Sequence, residues 1–281
     1  MQKYTTNTLV VAYSMNLFTK TLDYYEKNGL SKTLQKALTT IYFDLFVNRL
    51  KYFGLTYVPS RYGFSFKKNW GDFTFRLYIN AAYGFFLFDY LAERDSAYVF
   101  FDIGANQGIY TLAAEKNPHC QKVYAFEPVS KTYSFLSSNV VINVTSDKVN
   151  LVNAAISDNH GTCEIVIKEG HSGGATTAEQ NATSGQAEKI KMINSEELNK
   201  FSIPRNTDIV VKIDVEGHEQ VVIEELTKLR YWPRIVAIFY EVDKRWSESS
   251  QIEQVLRDNE FNSFESIGDD KNQYDVLASR P

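Results

Sequence analysis

Five acids stand where an apolar run of this 281-residue chain gives way to a turn. Asp102 closes Tyr98–Phe101, Glu127 follows Lys122–Phe126, and Asp158 comes just after Val149–Ile156. Asp214 ends Thr207–Ile213, and Glu241 ends Arg234–Tyr240. Gathered on one rim, carboxylates can accept hydrogen bonds from hydroxyls, face a cation or take up a proton. Read singly, each is also an ordinary helix N-cap or solvated turn residue. Directly after Asp102 comes Gly104-Ala105-Asn106-Gln107-Gly108, and then a run that starts a helix at Ile109. The two glycines permit positive φ and bring bare backbone against a ligand. The free N–H groups of the helix start point the same way.

Spacing narrows the ligand. A dinucleotide corner needs G-x-G-x-x-G with the helix start on a pyrophosphate, whereas this turn is G-x-x-x-G with a carboxylate immediately before it. That carboxylate would repel a pyrophosphate and suits a ligand carrying an ammonium or sulfonium, such as S-adenosylmethionine. Glu127, about 20 residues past the glycine turn, is where a doubly wound sheet holds ribose hydroxyls.

These residues need strands to carry them. From Tyr98 onward apolar β-branched runs alternate with helical patterns, which predicts a mainly parallel doubly wound sheet. A strand over Val149–Ile156 is expected as the third, and Thr207–Asp214 and Arg234–Glu241 as the fourth and fifth. Thr162–Lys168 and Glu188–Ile193 read as strands flanking a Gly/Ser/Thr-rich loop over 170–185, a candidate lid. Phe261–Ile267 and Gln273–Ser279 read as a closing hairpin that fits a class I methyltransferase sheet, whose last strand inserts antiparallel. Before residue 96 the patterns differ. Ser14–Asn28 reads as one helix, and Leu34, Leu38, Ile41 and Leu45 stripe a second, either a packing face or a homodimer contact. Tyr57–Tyr78, with its alternating Phe73-Thr-Phe-Arg-Leu77, reads as a β-hairpin, and Ala81–Glu93 as a helix. The expected division is therefore an N-terminal helical and hairpin extension over 1–95 and an α/β domain over 96–281.

Composition sets the outer bounds. The net charge of −4 argues against a nucleic-acid partner. Residues 1–95 carry 12 basic and 7 acidic side chains, either a solvated face or a surface for peripheral contact with anionic lipid or glycan. The two cysteines, Cys120 and Cys163, form no framework. No signal peptide and no run long enough to span a bilayer are evident, so a cytoplasmic location is expected.

Phe101-Asp-Ile-Gly-Ala-Asn-Gln-Gly108, Ala125-Phe-Glu-Pro128, Asn153-Ala-Ala-Ile-Ser-Asp158 and Lys212-Ile-Asp-Val-Glu-Gly-His-Glu219 resemble the successive motifs of the FkbM family of S-adenosylmethionine-dependent methyltransferases. The resemblance spans roughly residues 96–245, and the Lys212–Glu219 run is its most specific part. It implies O-methylation of hydroxyls on sugars or natural products, frequently in cell-surface polysaccharides. It further implies that Asp102 faces the amino-acid part of the cofactor and that Gly104, Ala105, Asn106 and Gly108 cradle it. Glu127 would take the ribose hydroxyls, with Ala155 and Asp158 near the adenine. Residues 1–95 match no pattern of the family, which leaves the acceptor open.

Methyl transfer from a sulfonium needs a positioned nucleophile, and a sugar hydroxyl profits from a base. Asp214 and His218 are the candidate bases, with Glu241 orienting the hydroxyl. His218 has an alternative in simply bonding a neighbouring carboxylate. A divalent metal on Asp214, Glu216 and Glu241 is a second route to an acidified hydroxyl, although no metal-type spacing supports it. The Asn/Asp-Pro-Pro-Tyr pattern of amine methylation is missing after the fourth strand. Two other readings stay open: a nicotinamide-dependent sugar oxidoreductase, and a non-catalytic scaffold that keeps the fold.

Overall fold

The computed structural model describes residues 47–82, 84–167, 186–243, 249–268 and 272–280. The helices expected over 14–28 and 31–45 and the loop over 170–185 lie outside these residues. The chain divides into two compact units, Met1–Leu55 and Thr56–Pro281. Of the first, the described part includes a 3₁₀ turn, Val47–Tyr52.

The second unit is built on a seven-stranded sheet. In chain order its strands are β3 (Tyr98–Ile103), β4 (Cys120–Phe126), β5 (Val149–Val152), β9 (Asp208–Ile213), β10 (Ile235–Asp243), β11 (Ser263–Ile267) and β12 (Gln273–Ser279). Across the sheet they run β11-β12-β10-β9-β3-β4-β5. β5, β4, β3, β9 and β10 are parallel, and β12 inserts antiparallel between β10 and β11. This is the doubly wound topology whose last strand inserts antiparallel, as the closing hairpin predicted. β3 is buried at every position, as the continuous apolar run of a central parallel strand requires. Helices α3 (Ile109–Lys116), α4 (Ser130–Asn143), α6 (Glu219–Thr227) and α7 (Ser249–Asp258) supply the crossovers, and the short α5 (Ser195–Leu198) precedes β9.

The third expected strand is not continuous. Val149–Val152 joins the main sheet, but Ala155–Ile156 (β6) leaves it and pairs with β8 (Gln186–Ile193), which itself pairs antiparallel with β7 (Gly161–Ile167). The break falls at Asn153, whose amide donates to the carbonyls of Glu127 (2.8 Å) and Pro128 (3.0 Å). That side chain draws the backbone off the ladder, a competition typical of Asn.

Residues 56–95 belong to the same compact unit as the sheet. A small hairpin, β1 (Tyr57–Pro59) with β2 (Ser65–Lys67), does form. Phe73–Leu77, expected as a strand, is instead part of helix α1 (Phe73–Asn80). Alternation was overridden by a cap: the Asp72 carboxylate accepts from the Phe75 N–H at 2.8 Å. α1 ends at Ala81 in the left-handed conformation, and a separate helix, α2 (Phe85–Glu93), follows Gly84.

These early elements brace the glycine turn. Asp72 Oδ1 also accepts from Gln107 Nε2 at 2.8 Å, inside the turn itself. Asn139 on α4 donates to the Gln107 carbonyl at 2.8 Å and accepts from the Lys67 N–H at 2.7 Å. Asn117 donates to the Leu91 and Arg94 carbonyls, both at 2.8 Å, locking α2 to the end of α3. Asp72→Ala should therefore cost more than an ordinary cap, about 2–3 kcal/mol, because it also strips a buried amide. Urea unfolding of the variant against the parent checks this, and a loss under about 0.5 kcal/mol would contradict the bracing role.

Candidate functional site

Strand register builds the site. Ile103 lies level with Phe126 on one side and with Ile213 on the other, and Tyr240 lies level with Ile213. One step further along these parallel strands therefore aligns Glu127, Gly104, Asp214 and Glu241 in a single row. Asp275, on antiparallel β12, sits directly opposite Glu241 and extends the row. Glu241 does not end its strand as expected, since β10 runs on to Asp243.

Gly104 is required where it stands. Its φ is +75°, and a Cβ there would lie 1.9 Å from the Asp214 carbonyl oxygen. The Gly104 and Ala105 N–H groups both donate to the Phe126 carbonyl, at 3.0 and 2.8 Å, and the Asp214 N–H donates to the Ile103 carbonyl at 3.1 Å. The turn is thus stitched to both neighbouring strands. Asn106 adopts φ +50°, a conformation Asn tolerates. At Gly108, φ +93°, a Cβ would press on Leu136 of α4 at 2.6 Å.

Two residues below the row, Asp102 and Lys212 are neighbours across β3 and β9. Asp102 is fully buried and Lys212 nearly so. The Lys212 ammonium donates to the carbonyls of Gly104 (2.5 Å) and Ile103 (3.3 Å). It also lies 3.7 Å from Asp102 Oδ1 and 3.5 Å from Asp214 Oδ2. Burial opposes its charge, but Asp214, Asp102 and Glu127 outweigh that and hold its pKa above the ordinary lysine value. Burial raises the pKa of Asp102 despite Lys212 and the 2.6 Å hydrogen bond from Thr111. Among the described residues, Asp102 Oδ1 accepts no hydrogen bond.

Above the turn opens a pocket. It is lined by Gly104, Asn106 and Glu127, by the apolar side chains of Phe126, Val129, Ala155, Ile156, Ile165 and Ile190, and by Asp214, Glu216 and His218. The Glu127 carboxylate accepts from the N–H groups of Val129 and Asn106, both at 3.0 Å. Burial nonetheless pushes its pKa up to about 7. Loop 214–218 is drawn tight by Glu219, whose buried carboxylate accepts from the Val215 N–H (3.1 Å) and the Gly217 N–H (3.1 and 3.2 Å). The loop carries Glu216 at φ +53°, a backbone state that a bulky residue keeps only when its surroundings enforce it.

The three candidate catalytic residues fall in two places. His218 precedes α6 and its Nε2 lies 3.2 Å from Ser157 Oγ. Burial lowers its pKa, and Asp158 is the carboxylate that opposes the shift. Asp214 acts instead on Glu241 and Asp275. Burial together with Asp214 pushes Glu241 up to about 8 and Asp275 up to about 7. Gln273 donates to Glu241 Oε1 at 2.8 Å. Asp102 lies behind the glycine turn, outside the pocket wall. Asp158 is exposed and off the wall too, accepting from Ser157 (3.0 Å) and Asn159 (2.8 Å). Ala155 and Glu127 do line the pocket. Among the described residues no group of three His, Cys, Asp or Glu side chains is placed to hold a metal ion, so Asp214, Glu216 and Glu241 do not assemble as a ligand set. Also among the described residues, no helix is long and apolar enough to cross a membrane.

Sequence reasoning passed over Lys212, Ser157, Glu219, Asp275 and the wall from β7 and β8. A lysine inside an otherwise apolar strand was the available signal for the first. The others depend on register between distant segments.

Two consequences follow from this geometry. Glu127, Asp275 and Glu241 all have folded pKa values above the unfolded carboxylate range, so the native state binds extra protons. Their contribution is full below about pH 4.5 and is lost as pH rises through 7–8. The thermal midpoint of the ligand-free protein should drop by roughly 3 °C or more between pH 5.5 and 8.5 on their account. Glu241→Gln should flatten the upper part of that fall, and an unchanged slope would show that Glu241 is not the group titrating there. Gly104→Ala should cost at least about 2 kcal/mol in urea unfolding through left-handed strain and overlap with the Asp214 carbonyl.

The methyltransferase FkbM domain matches residues 102–263, more than half the chain. The methyltransferase sdnD of Sordaria araneosa is 22% identical over 187 residues, covering 57% of this chain and 72% of that protein. Among solved structures, the METTL16 methyltransferase domain superposes with a TM-score of 0.48 at 12% identity, over 84% of this chain and 77% of that one. TrmK of M. capricolum, in complex with S-adenosyl-homocysteine, gives 0.45 at 12% identity, over 70% and 68%.

Proposed function

The chain belongs to the FkbM methyltransferase family, and from that premise we propose that it uses S-adenosylmethionine to methylate a hydroxyl of a sugar, in a cell-surface polysaccharide or glycoconjugate. The observation that carries the reading is the single row of Glu127, Gly104, Asp214 and Glu241, with the pocket opening above its first three members. The residues suit the cofactor. Gly104 leaves its backbone bare, and Glu127 presents a carboxylate beside an apolar slot of adenine character walled by Ala155, Ile156, Ile165 and Ile190. When bound, S-adenosylmethionine supplies an activated methyl group on a sulfonium.

The chain's own residues then handle the acceptor. Glu127 takes the ribose hydroxyls, which as donors match an acceptor-only carboxylate. Asp102 and Lys212 hold the Gly104 turn from behind, so that the base of the pocket does not shift. The acceptor hydroxyl sits against Asp214 and Glu241. Asp214, tethered 3.5 Å from Lys212, orients it, and Glu241 removes its proton. A carboxylate whose pKa is pushed up to about 8 is well matched to that task at neutral to mildly alkaline pH. The stretch Asp214-Val-Glu-Gly217, where amine methylases carry Asn/Asp-Pro-Pro-Tyr, supports oxygen over nitrogen as acceptor. The site works from the cytoplasmic side on this reading, on a free or lipid-linked sugar.

Calorimetric titration with S-adenosylmethionine and, separately, NAD⁺ tests the cofactor. Saturable binding of the first alone is expected, and binding of NAD⁺ alone would return the protein to the oxidoreductases. Glu127→Ala should weaken S-adenosylmethionine binding by roughly tenfold or more, since two ribose hydroxyls lose a charged acceptor. With an acceptor in hand, Glu241→Gln should lower kcat by roughly 10²-fold or more. It should also abolish the rise of kcat with pH through about 8. A variant with full kcat and an intact pH profile would assign the base elsewhere.

A further inference from the structure

His218 was expected near the acceptor, but its hydrogen-bond partner lies at the end of β6. It lines the pocket together with Ala155, Ile156, Ile165 and Ile190. Its hydrogen bond goes to Ser157, the residue after β6. The carboxylate row of Asp214, Glu241 and Asp275 does not act on it.

The direction of each hydrogen bond fixes the imidazole. Asp158 Oδ1 accepts from Asn159 Nδ2 at 2.8 Å and from Ser157 Oγ at 3.0 Å. Ser157 has one proton and gives it to Asp158, so toward His218 it offers only a lone pair. The 3.2 Å contact is therefore an N–H donated by Nε2 to Ser157. Burial keeps the ring neutral around pH 7, outweighing Asp158. A neutral imidazole with its proton on Nε2 has an acceptor at Nδ1, and among the described residues nothing bonds to that nitrogen.

We infer that His218 reads the nucleobase, with Nδ1 accepting a hydrogen bond from the 6-amino group of adenine, and that Ser157 is the positioning residue that fixes this tautomer. This rests on the S-adenosylmethionine reading. It also accounts for Asp158, which the resemblance set near the adenine: that carboxylate points at Ser157 and acts on the base through Ser157 and His218. An acceptor at Nδ1 favours a 6-amino purine and disfavours a 6-oxo purine, which would oppose one lone pair to another.

The test is calorimetric titration of the full chain with S-adenosylhomocysteine and with its deaminated analogue, S-inosylhomocysteine. The parent should prefer the adenine form by at least roughly tenfold. His218→Phe keeps the ring shape without a nitrogen. It should bind S-adenosylhomocysteine roughly tenfold more weakly and hold the two ligands nearly alike. Ser157→Ala should lose part of the preference, because Nε2 no longer has a fixed partner. His218→Gln, which retains an acceptor oxygen, should keep a preference for adenine and guards against a variant that merely misfolds. An unchanged preference in a folded His218→Phe protein overturns the inference and leaves the cofactor reading standing. If the parent binds neither compound, the cofactor reading falls and the inference with it.

Discussion

One buried ammonium holds this site together. Lys212 sits in the middle of an apolar parallel strand and has lost nearly all contact with water. An isolated charge there would be prohibitive, and the chain tolerates it by surrounding it with oxygens. Two of these are the carbonyls of Ile103 and Gly104, and two belong to the carboxylates of Asp102 and Asp214. The arrangement is reciprocal. Asp102 is fully buried and depends on Lys212 for a counter-charge, while the Ile103 and Gly104 carbonyls are held by the Lys212 ammonium. Gly104 completes the lock, since its missing Cβ is what lets the Asp214 backbone approach.

From that lock the rest of the site follows by register. Parallel strands that begin level also end level, so the residues just past Ile103, Phe126, Ile213 and Tyr240 form a row without further design. The row is acidic because a sugar and a ribose both present hydroxyls, and carboxylates are acceptors for both. Crowding acids at a half-buried edge raises their pKa values, which destabilises the charged native state but places Glu241 near the pH at which a proton must be taken. The opposite wall is made differently. β6, β7 and β8 leave the main sheet and supply aliphatic surface, against which His218 is the polar group that can discriminate.

Much of this was legible in the sequence for simple reasons. β3, β4 and β9 are nearly unbroken apolar runs, so their ends, and Asp102, Glu127 and Asp214 beside those ends, could be read directly. The glycine turn announced itself through Gly104 and Gly108, and the closing hairpin through the run Gly268–Asn272. Local conflicts defeated the reading elsewhere. Phe73–Leu77 alternates like a strand, yet Asp72 captures the Phe75 N–H and starts a helix. Val149–Ile156 looks like one strand, but the Asn153 side chain diverts it. Ser157 and Asp275 carry no local mark at all. Their roles arise from which distant residue they face, a property of pairing that no single window contains. Lys212 was visible as a letter in a motif, but its function needed the neighbour across the strand.

The account stands or falls on the coupling between Lys212 and Asp102. A double-mutant cycle in urea unfolding, with Lys212→Met, Asp102→Asn and the combined variant, measures it directly. Lys212→Met alone should cost about 3–5 kcal/mol, because it strands a fully buried carboxylate. Adding Asp102→Asn removes the charge that was stranded, so the double variant should recover about 2 kcal/mol or more relative to the sum of the singles. Additive losses, within about 0.5 kcal/mol, would mean that the two residues act independently and that the glycine turn is held by something else.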